Sequence, residues 1–182
     1  MTTASVIGAG SWGTALATVL AQRGIDVKLW CRDPDQAVQM ADSRENHRYL
    51  PGVRLEENII PTDDFNLTVQ SEVILCVTPS AAMANLADSL TKAQVARDTI
   101  FISCTKGLER ETGRRMTEIL SSHLPENPIA VLSGPNHAEE VGRQLATAAV
   151  IGCKDKDIAL RLQELFTLPW FRTYTSEDVA GI

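Results

Sequence analysis

A short apolar run that breaks into three spaced glycines at the start of a helix is the feature that most constrains this chain. The stretch Val6-Ile7-Gly8-Ala9-Gly10-Ser11-Trp12-Gly13-Thr14-Ala15-Leu16-Ala17 places Gly8, Gly10 and Gly13 in the pattern G-x-G-x-x-G. In a strand–turn–helix unit the first glycine permits a tight turn and the second lets the backbone come close to a pyrophosphate. The third lets helix and sheet pack closely. Unpaired amides at the helix start, with the positive end of its dipole, then face phosphate oxygens. Ser11 is placed to cap this helix or to donate to a phosphate.

The flanking residues agree with that reading. Trp12, Ala15, Leu16, Val19 and Leu20 have the spacing of one buried helix face. Arg23 and Gly24 suit a helix C-terminus, a cation followed by a residue free to turn left-handed. A second strand follows over Asp26-Val27-Lys28-Leu29-Trp30-Cys31. Strand, glycine turn, helix and strand thus fit the length of about 30 residues that a dinucleotide-binding βαβ unit needs. A purely structural glycine turn would not require all of these elements together.

The same alternation continues through the chain. Asp33-Pro34-Asp35 reads as a helix start, and the helix fades around Asn46-His47-Arg48 before a turn or loop at Tyr49-Leu50-Pro51-Gly52. Ile59 to Thr62 suits a short strand leading into a helix near Asp64–Val69. Glu72 to Val77 is nearly continuous apolar residue and closes at Pro79, as expected for a strand buried on both faces of a parallel sheet. Ser80 is placed to cap a helix over 81–91. Further strands are expected over 99–105, 129–133, 147–152 and 171–174, with helices near 113–123, after Gly134, and over 157–166. The expected fold is α/β: a Rossmann-type, doubly wound, mostly parallel sheet with helices on both faces, over residues 1–182. The orientation of the last strands stays open.

Composition narrows the function. Among 182 residues, 44% are hydrophobic and 22% charged, the profile of a globular domain with a real core. A formal net charge of −6 argues against a general nucleic-acid or anionic-membrane binder, so any anion must be held by local backbone and a few local cations. Cys31, Cys76, Cys104 and Cys153 are widely spaced, without a C-x-x-C pair. That disfavours a metal site or disulfide framework and fits a reducing cytoplasm. The N-terminus lacks a signal-peptide pattern, and no apolar run reaches membrane-spanning length.

In a doubly wound fold ligands lie beyond the carboxyl ends of the strands, where strand order reverses. Four candidate sites fall at such ends: the glycine turn, Arg32, Lys106, and the turn from Gly134 to Ala138. Arg32 stands where a carboxylate would otherwise bind the ribose 2′-hydroxyl of NAD, and its charge suits the 2′-phosphate of NADP. NADP(H) is therefore the preferred cofactor, while Asp33 one residue later keeps NAD(H) possible. Lys106 can hold a substrate phosphate or hydroxyl, or the nicotinamide end of the cofactor; equally it suits a solvated strand end. His137 suits an acid or base, though such a residue is more often a helix-start surface group. His47 and His123 have no partner pattern and read as surface residues, and neither a Ser-His-Asp order nor metal-ligand spacing stands out.

Taken together, the residues resemble the bacterial NAD(P)-dependent glycerol-3-phosphate dehydrogenases over essentially the whole chain. The resemblance rests on Gly8 to Ala17, on Asn46 with Tyr49-Leu50-Pro51-Gly52, and on Val77-Thr78-Pro79-Ser80. Cys104-Thr105-Lys106-Gly107-Leu108-Glu109 and Ser133 to Val141 complete it. It implies reversible hydride transfer between NAD(P)H and dihydroxyacetone phosphate, giving sn-glycerol 3-phosphate for phospholipid synthesis. By position it assigns Ser11, Trp12, Arg32, Lys106 and Ala138 to the cofactor, beside Gly8, Gly10 and Gly13 of the glycine turn, and Lys106, Gly134 and Asn136 to the substrate. Many bacterial members carry Ser or Thr where this chain has Asn136, so a hydroxyl contact becomes an amide. The family's helical second domain, with its catalytic lysine, is expected beyond Ile182, which makes this chain the cofactor-binding part and nearly inactive alone. A homodimer of the full-length enzyme is compatible with the resemblance. Two other readings share these features: a related two-domain dehydrogenase of another hydroxy substrate, and a non-catalytic dinucleotide-sensing module.

Overall fold

The computed structural model describes residues 2–182. The first half of the chain forms β1 (Thr3–Ile7), α1 (Ser11–Gln22), β2 (Asp26–Trp30), α2 (Pro34–Ser43), β3 (Glu45–Asn46), β4 (Leu50–Arg54), β5 (Ile59–Thr62) and α3 (Phe65–Thr68). Next come β6 (Val73–Cys76), a 3₁₀ turn (Ser80–Ala82), α4 (Met83–Lys92), β7 (Ile100–Ser103) and α5 (Met116–His123). The chain continues with β8 (Ile129–Ser133), α6 (Ala138–Gly142), β9 (Thr147–Gly152), α7 (Lys156–Phe166) and β10 (Phe171–Ser176).

Eight strands make one sheet in the order β10-β9-β8-β7-β6-β1-β2-β5. From β1 the chain winds outward through β2 to β5, then returns beside β1 at β6 and winds the other way. The reversal of strand order therefore falls between β1 and β6. All pairings are parallel except that of β8 with β9. The short α6 explains the exception. Five residues of helix advance only about 7.5 Å, too little to carry the chain back along β8, so β9 starts at the end where β8 finishes. The expected doubly wound sheet is thus present, with its last two strands reversed.

Side-chain alternation supplies both faces. Val6, Val73, Leu75, Ile100 and Ile102 enter a core with α1, α2, α6 and α7, including Leu16, Leu20, Met40, Val141, Leu162 and Phe166. Ile7, Ile74, Cys76 and Phe101 point to the other face, against Met83, Leu86 and Leu90 of α4 and Ile119 and Leu120 of α5. All of β6 and β7 is buried, as their uninterrupted apolar runs require. Helix α1 is buried from Gly13 through Ala21, because the sheet covers one side and α6 packs on another.

Three local expectations change. Helix α2 stops at Ser43, since Arg44 adopts a left-handed backbone (φ 54°) held by its guanidinium on the carbonyls of Ile59 and Glu56. The residues read as a helix tail and a loop then pair as the antiparallel hairpin β3–β4. In this hairpin the Glu45 carboxylate accepts the Gly52 N–H at 2.8 Å, which lowers its pKa, with help from His47. Ser80 makes no cap hydrogen bond, and the chain passes through a 3₁₀ turn before α4. Helix α5 begins at Met116 rather than near Gly113, because 109–115 fold back on themselves with Glu109 N–H bonded to the Arg114 carbonyl and Leu108 bridged to Arg115.

No helix of the described residues is long and apolar enough to cross a membrane. All four cysteines are free and buried. Burial pushes the Cys31 thiol up to about 11 and the Cys76 thiol to about 12, and raises Cys104 and Cys153 as well. Thiol reactivity follows the thiolate fraction and access. A colorimetric disulfide reagent at pH 8 is therefore expected to find no fast-reacting thiol in the folded chain and all four after unfolding in guanidinium.

Candidate functional site

Three chain segments meet at the reversal of strand order. The loop after β1 carries the glycines, the end of β6 carries Val77, Thr78 and Pro79, and the end of β7 carries Thr105 and Lys106. Thr105 Oγ1 straps the two strand ends together, 2.8 Å from the Thr78 carbonyl and 3.2 Å from that of Cys76. This strap escaped the sequence reading, because nothing in a lone threonine signals a partner 27 positions away.

The three glycines are needed for different reasons. Gly8 has φ 124°, and a Cβ there would overlap the Val77 carbonyl oxygen of the neighbouring strand end. At Gly13 a Cβ would overlap the Gly8 carbonyl, so α1 rests directly on the turn that precedes it. Gly10 differs: its φ is an ordinary −78°, and a Cβ would meet nothing within 4 Å. The protein's own packing thus demands glycine at 8 and 13 and makes no demand at 10. Gly10 is also the N-cap residue of α1, and Ser11 its first helical residue, without a side-chain cap bond. The capping role expected of Ser11 is not realised. The amides of Gly10, Ser11, Trp12 and Gly13 have no acceptor among the described residues.

Gly10, Ser11, Trp12, Gly13, Lys106, Asn136 and Ala138 line one open cavity of about 500 Å³, with Thr78, Pro79 and Ser80. Gly134 lies beside it, on an adjoining cavity that also touches Lys106. Lys106 is exposed, and its Nζ stands 3.4 Å from the Gly134 carbonyl and 3.5 Å from that of Asn136. Both distances exceed the usual range for an N–H···O bond, so the ammonium is only loosely tethered across the mouth of the cavity. Asn136 is buried (6% exposed) and spends its amide on β9, donating to Thr147 Oγ1 at 2.7 Å and the Ala148 carbonyl at 2.8 Å. Its Oδ1 has no partner among the described residues and lies where a Cβ on Gly134 would have to go.

Arg32 and Gly8 are outside that cavity. Arg32 is exposed at the end of β2, with no hydrogen bond or ion pair among the described residues. The neighbouring carboxylate is already engaged. Asp33 Oδ1 accepts the Asp35 N–H at 3.1 Å as the N-cap of α2, and Oδ2 lies 3.8 Å from Arg48. Of the histidines, His137 reaches the cavity rim but is exposed and makes no cap bond.

A sheet wound both ways from β1, with bare amides at a glycine-rich helix start over the reversal, defines a Rossmann-type domain. Comparison with known proteins makes this specific. Residues 3–159 match the family described as NAD-dependent glycerol-3-phosphate dehydrogenase N-terminus. A glycerol-3-phosphate dehydrogenase [NAD(P)+] of Moorella thermoacetica is 43% identical over 98% of this chain and 53% of its own length. One from Leuconostoc citreum is 42% identical over 100% and 55%. The crystal structure of glycerol-3-phosphate dehydrogenase from Coxiella burnetii superposes with a TM-score of 0.91 at 32% identity, covering 97% of this chain and 54% of that one. The chain therefore belongs to the NAD-dependent glycerol-3-phosphate dehydrogenase family, whose N-terminal part it matches. It spans about half the length of the curated relatives it matches.

Because the glycines differ, their substitutions separate. Gly13→Ala is expected to lower stability in urea unfolding by about 1–3 kcal/mol, the range for overpacking. Gly10→Ala should cost less, up to about 1 kcal/mol, because its methyl group meets nothing and only the poorer N-cap counts against it.

Proposed function

We propose that this chain binds NADP(H) or NAD(H) along the glycine turn and is the cofactor-binding part of an enzyme that interconverts dihydroxyacetone phosphate and sn-glycerol 3-phosphate, feeding glycerophospholipid synthesis. One observation carries the reading. Gly10 leaves open space beside four bare amides, room that the protein's own packing does not use. Close approach of a pyrophosphate is what the second glycine of such a turn permits. The names of the two curated relatives above, both glycerol-3-phosphate dehydrogenase [NAD(P)+], support the reaction.

In this assignment the amides of Gly10 to Gly13 hold the pyrophosphate, with Trp12 and Ala138 lining the slot beside it. The nicotinamide, when bound, supplies or accepts the hydride. Lys106 places a cation at the mouth, where it orients an anionic triose and donates to its carbonyl oxygen. Gly134 and Asn136 form the substrate-side loop, and the loose bonds of their carbonyls to Nζ leave Lys106 free to turn to a ligand. The proton that accompanies the hydride needs a group within hydrogen-bond reach of the substrate oxygen. Lys106 is the lysine that lines this cavity, and we assign the acid–base step to a residue outside 1–182, in keeping with the family resemblance. Purified 1–182 should then bind dinucleotide yet show no appreciable turnover of dihydroxyacetone phosphate with NADPH. Robust turnover in a spectrophotometric assay would overturn this division of labour.

NADP(H) is the preferred cofactor in this reading. Arg32 has no partner among the described residues, whereas the Asp33 carboxylate is committed to capping α2 and to Arg48. A charge-assisted contact to a 2′-phosphate is roughly twice as strong as a neutral one. Arg32→Ala is accordingly expected to weaken NADPH binding about tenfold or more and NADH binding by much less, in parallel fluorescence titrations. Equal losses for both would remove Arg32 from the 2′-phosphate role. The four unpaired, buried thiols support a reducing, cytoplasmic setting.

A further inference from the structure

The motif Asn46 with Tyr49-Leu50-Pro51-Gly52 has no place in the site as described so far, yet Asn46 is fully buried. It sits in β3 of the small hairpin and reaches into the back of the glycine turn. Asn46 Nδ2 donates to the Ala9 carbonyl at 3.1 Å and to Thr14 Oγ1 at 2.8 Å. Its Oδ1 accepts the Tyr49 N–H at 3.2 Å. That last bond fixes which way the amide faces, since a backbone N–H requires an oxygen opposite it. A second side chain converges on the same atom: Gln36 Nε2, from the first turn of α2, donates to the Ala9 carbonyl at 2.8 Å. Thr14 completes the cluster by donating its hydroxyl to the Gly10 carbonyl at 2.8 Å, alongside its own N–H at 3.0 Å.

Two consecutive carbonyls of the turn, those of Ala9 and Gly10, are thus each held by two donors on the protein side. A trans peptide is planar, so its C=O and the following N–H point in opposite directions. Holding the Ala9 carbonyl aims the Gly10 N–H the other way, and holding the Gly10 carbonyl does the same for Ser11. Glycine at 8 and 10 leaves this turn with more backbone freedom than any other residue type would allow. Without the donors the Ala9–Gly10 peptide could turn its carbonyl oxygen, rather than its N–H, toward the slot.

We propose that Asn46, seconded by Gln36, is a positioning residue for dinucleotide binding: it orients the Ala9–Gly10 peptide so that the turn presents amides, and no carbonyl oxygen, to the pyrophosphate. The function of the hairpin is to deliver that amide group. This rests on the cofactor reading above and deepens it. It also predicts which part of the ligand is affected. NADPH and NADH share the pyrophosphate and differ at the ribose, so loss of Asn46 weakens both by one factor and leaves their ratio alone, unlike loss of Arg32.

The test is calorimetric titration of the 1–182 chain and its Asn46→Ala and Gln36→Ala variants with NADPH and with NADH. Measurements are made at least 20 °C below each variant's own unfolding midpoint, where the chain is folded. Gln36 is only half-buried on a helix surface, so its replacement by alanine keeps the fold even if Asn46→Ala does not. The expected result is a tenfold or greater loss for both dinucleotides in Asn46→Ala, and about threefold in Gln36→Ala, with the NADPH-to-NADH ratio unchanged in each. A variant that unfolds at lower temperature yet keeps its affinities would show a merely structural role and overturn the proposal. So would a loss confined to NADPH, which would place the effect at the ribose end through α2. If Asn46→Ala does not fold, unchanged affinities in Gln36→Ala overturn the proposal by themselves. Failure of the unaltered chain to bind either dinucleotide would instead overturn the cofactor reading.

Discussion

The close stacking of backbone at the reversal of strand order is the constraint on which the rest depends. The Val77 carbonyl lies where a side chain on Gly8 would have to be, and the Gly8 carbonyl lies where one on Gly13 would have to be. Three segments from two strands and a helix thereby touch chiefly through backbone. The nearest atoms at both glycines are backbone carbonyls, with the Val6 side chain next at Gly13, so the start of α1 is fixed relative to both β1 and β6. The direction of α1 follows from that contact, and the donors on the Ala9 and Gly10 carbonyls then set the aim of its first amides.

Much of this was legible in the sequence, and the reasons are specific. The glycine spacing, the apolar periodicity of α1, and the uninterrupted runs of β6 and β7 each report a local rule about backbone or burial. The path of 44–54 was not legible. An arginine has no intrinsic preference for a left-handed backbone, and Arg44 adopts one because distant carbonyls at Glu56 and Ile59 capture its side chain. The tertiary partner decides, and it has no local signature. The late start of α5 has the same origin, a turn closed by Glu109 with Thr112 and Arg114 in place of another turn of helix. At the site, sequence named the residues that line the cavity but not those that aim them, because a glycine turn announces itself and its supports do not.

The charge balance of the chain also reads differently with the fold in view. A net charge of −6 looks unpromising for an anion site. Yet the cavity is lined by bare backbone amides and one loosely held ammonium, with the exposed Glu139 the one carboxylate on its rim among the described residues, while the nearby Asp33 is turned to its own helix and to Arg48. Charge placement within a few ångströms outweighs the total, since exposed charges farther off are screened over about 10 Å at ordinary ionic strength.

The small hairpin also has a second side. While Asn46 reaches the glycine turn, Leu50 and Val53 of β4 press against Gly142 in α6, so closely that a methyl group there would meet them at about 3 Å. Helix α6 begins at Ala138, on the opposite rim of the cavity, and packs on α1. Both rims therefore lean on one two-stranded brace. The slot is thus braced from behind, much as a keystone backs the opening of an arch, by residues that never line it.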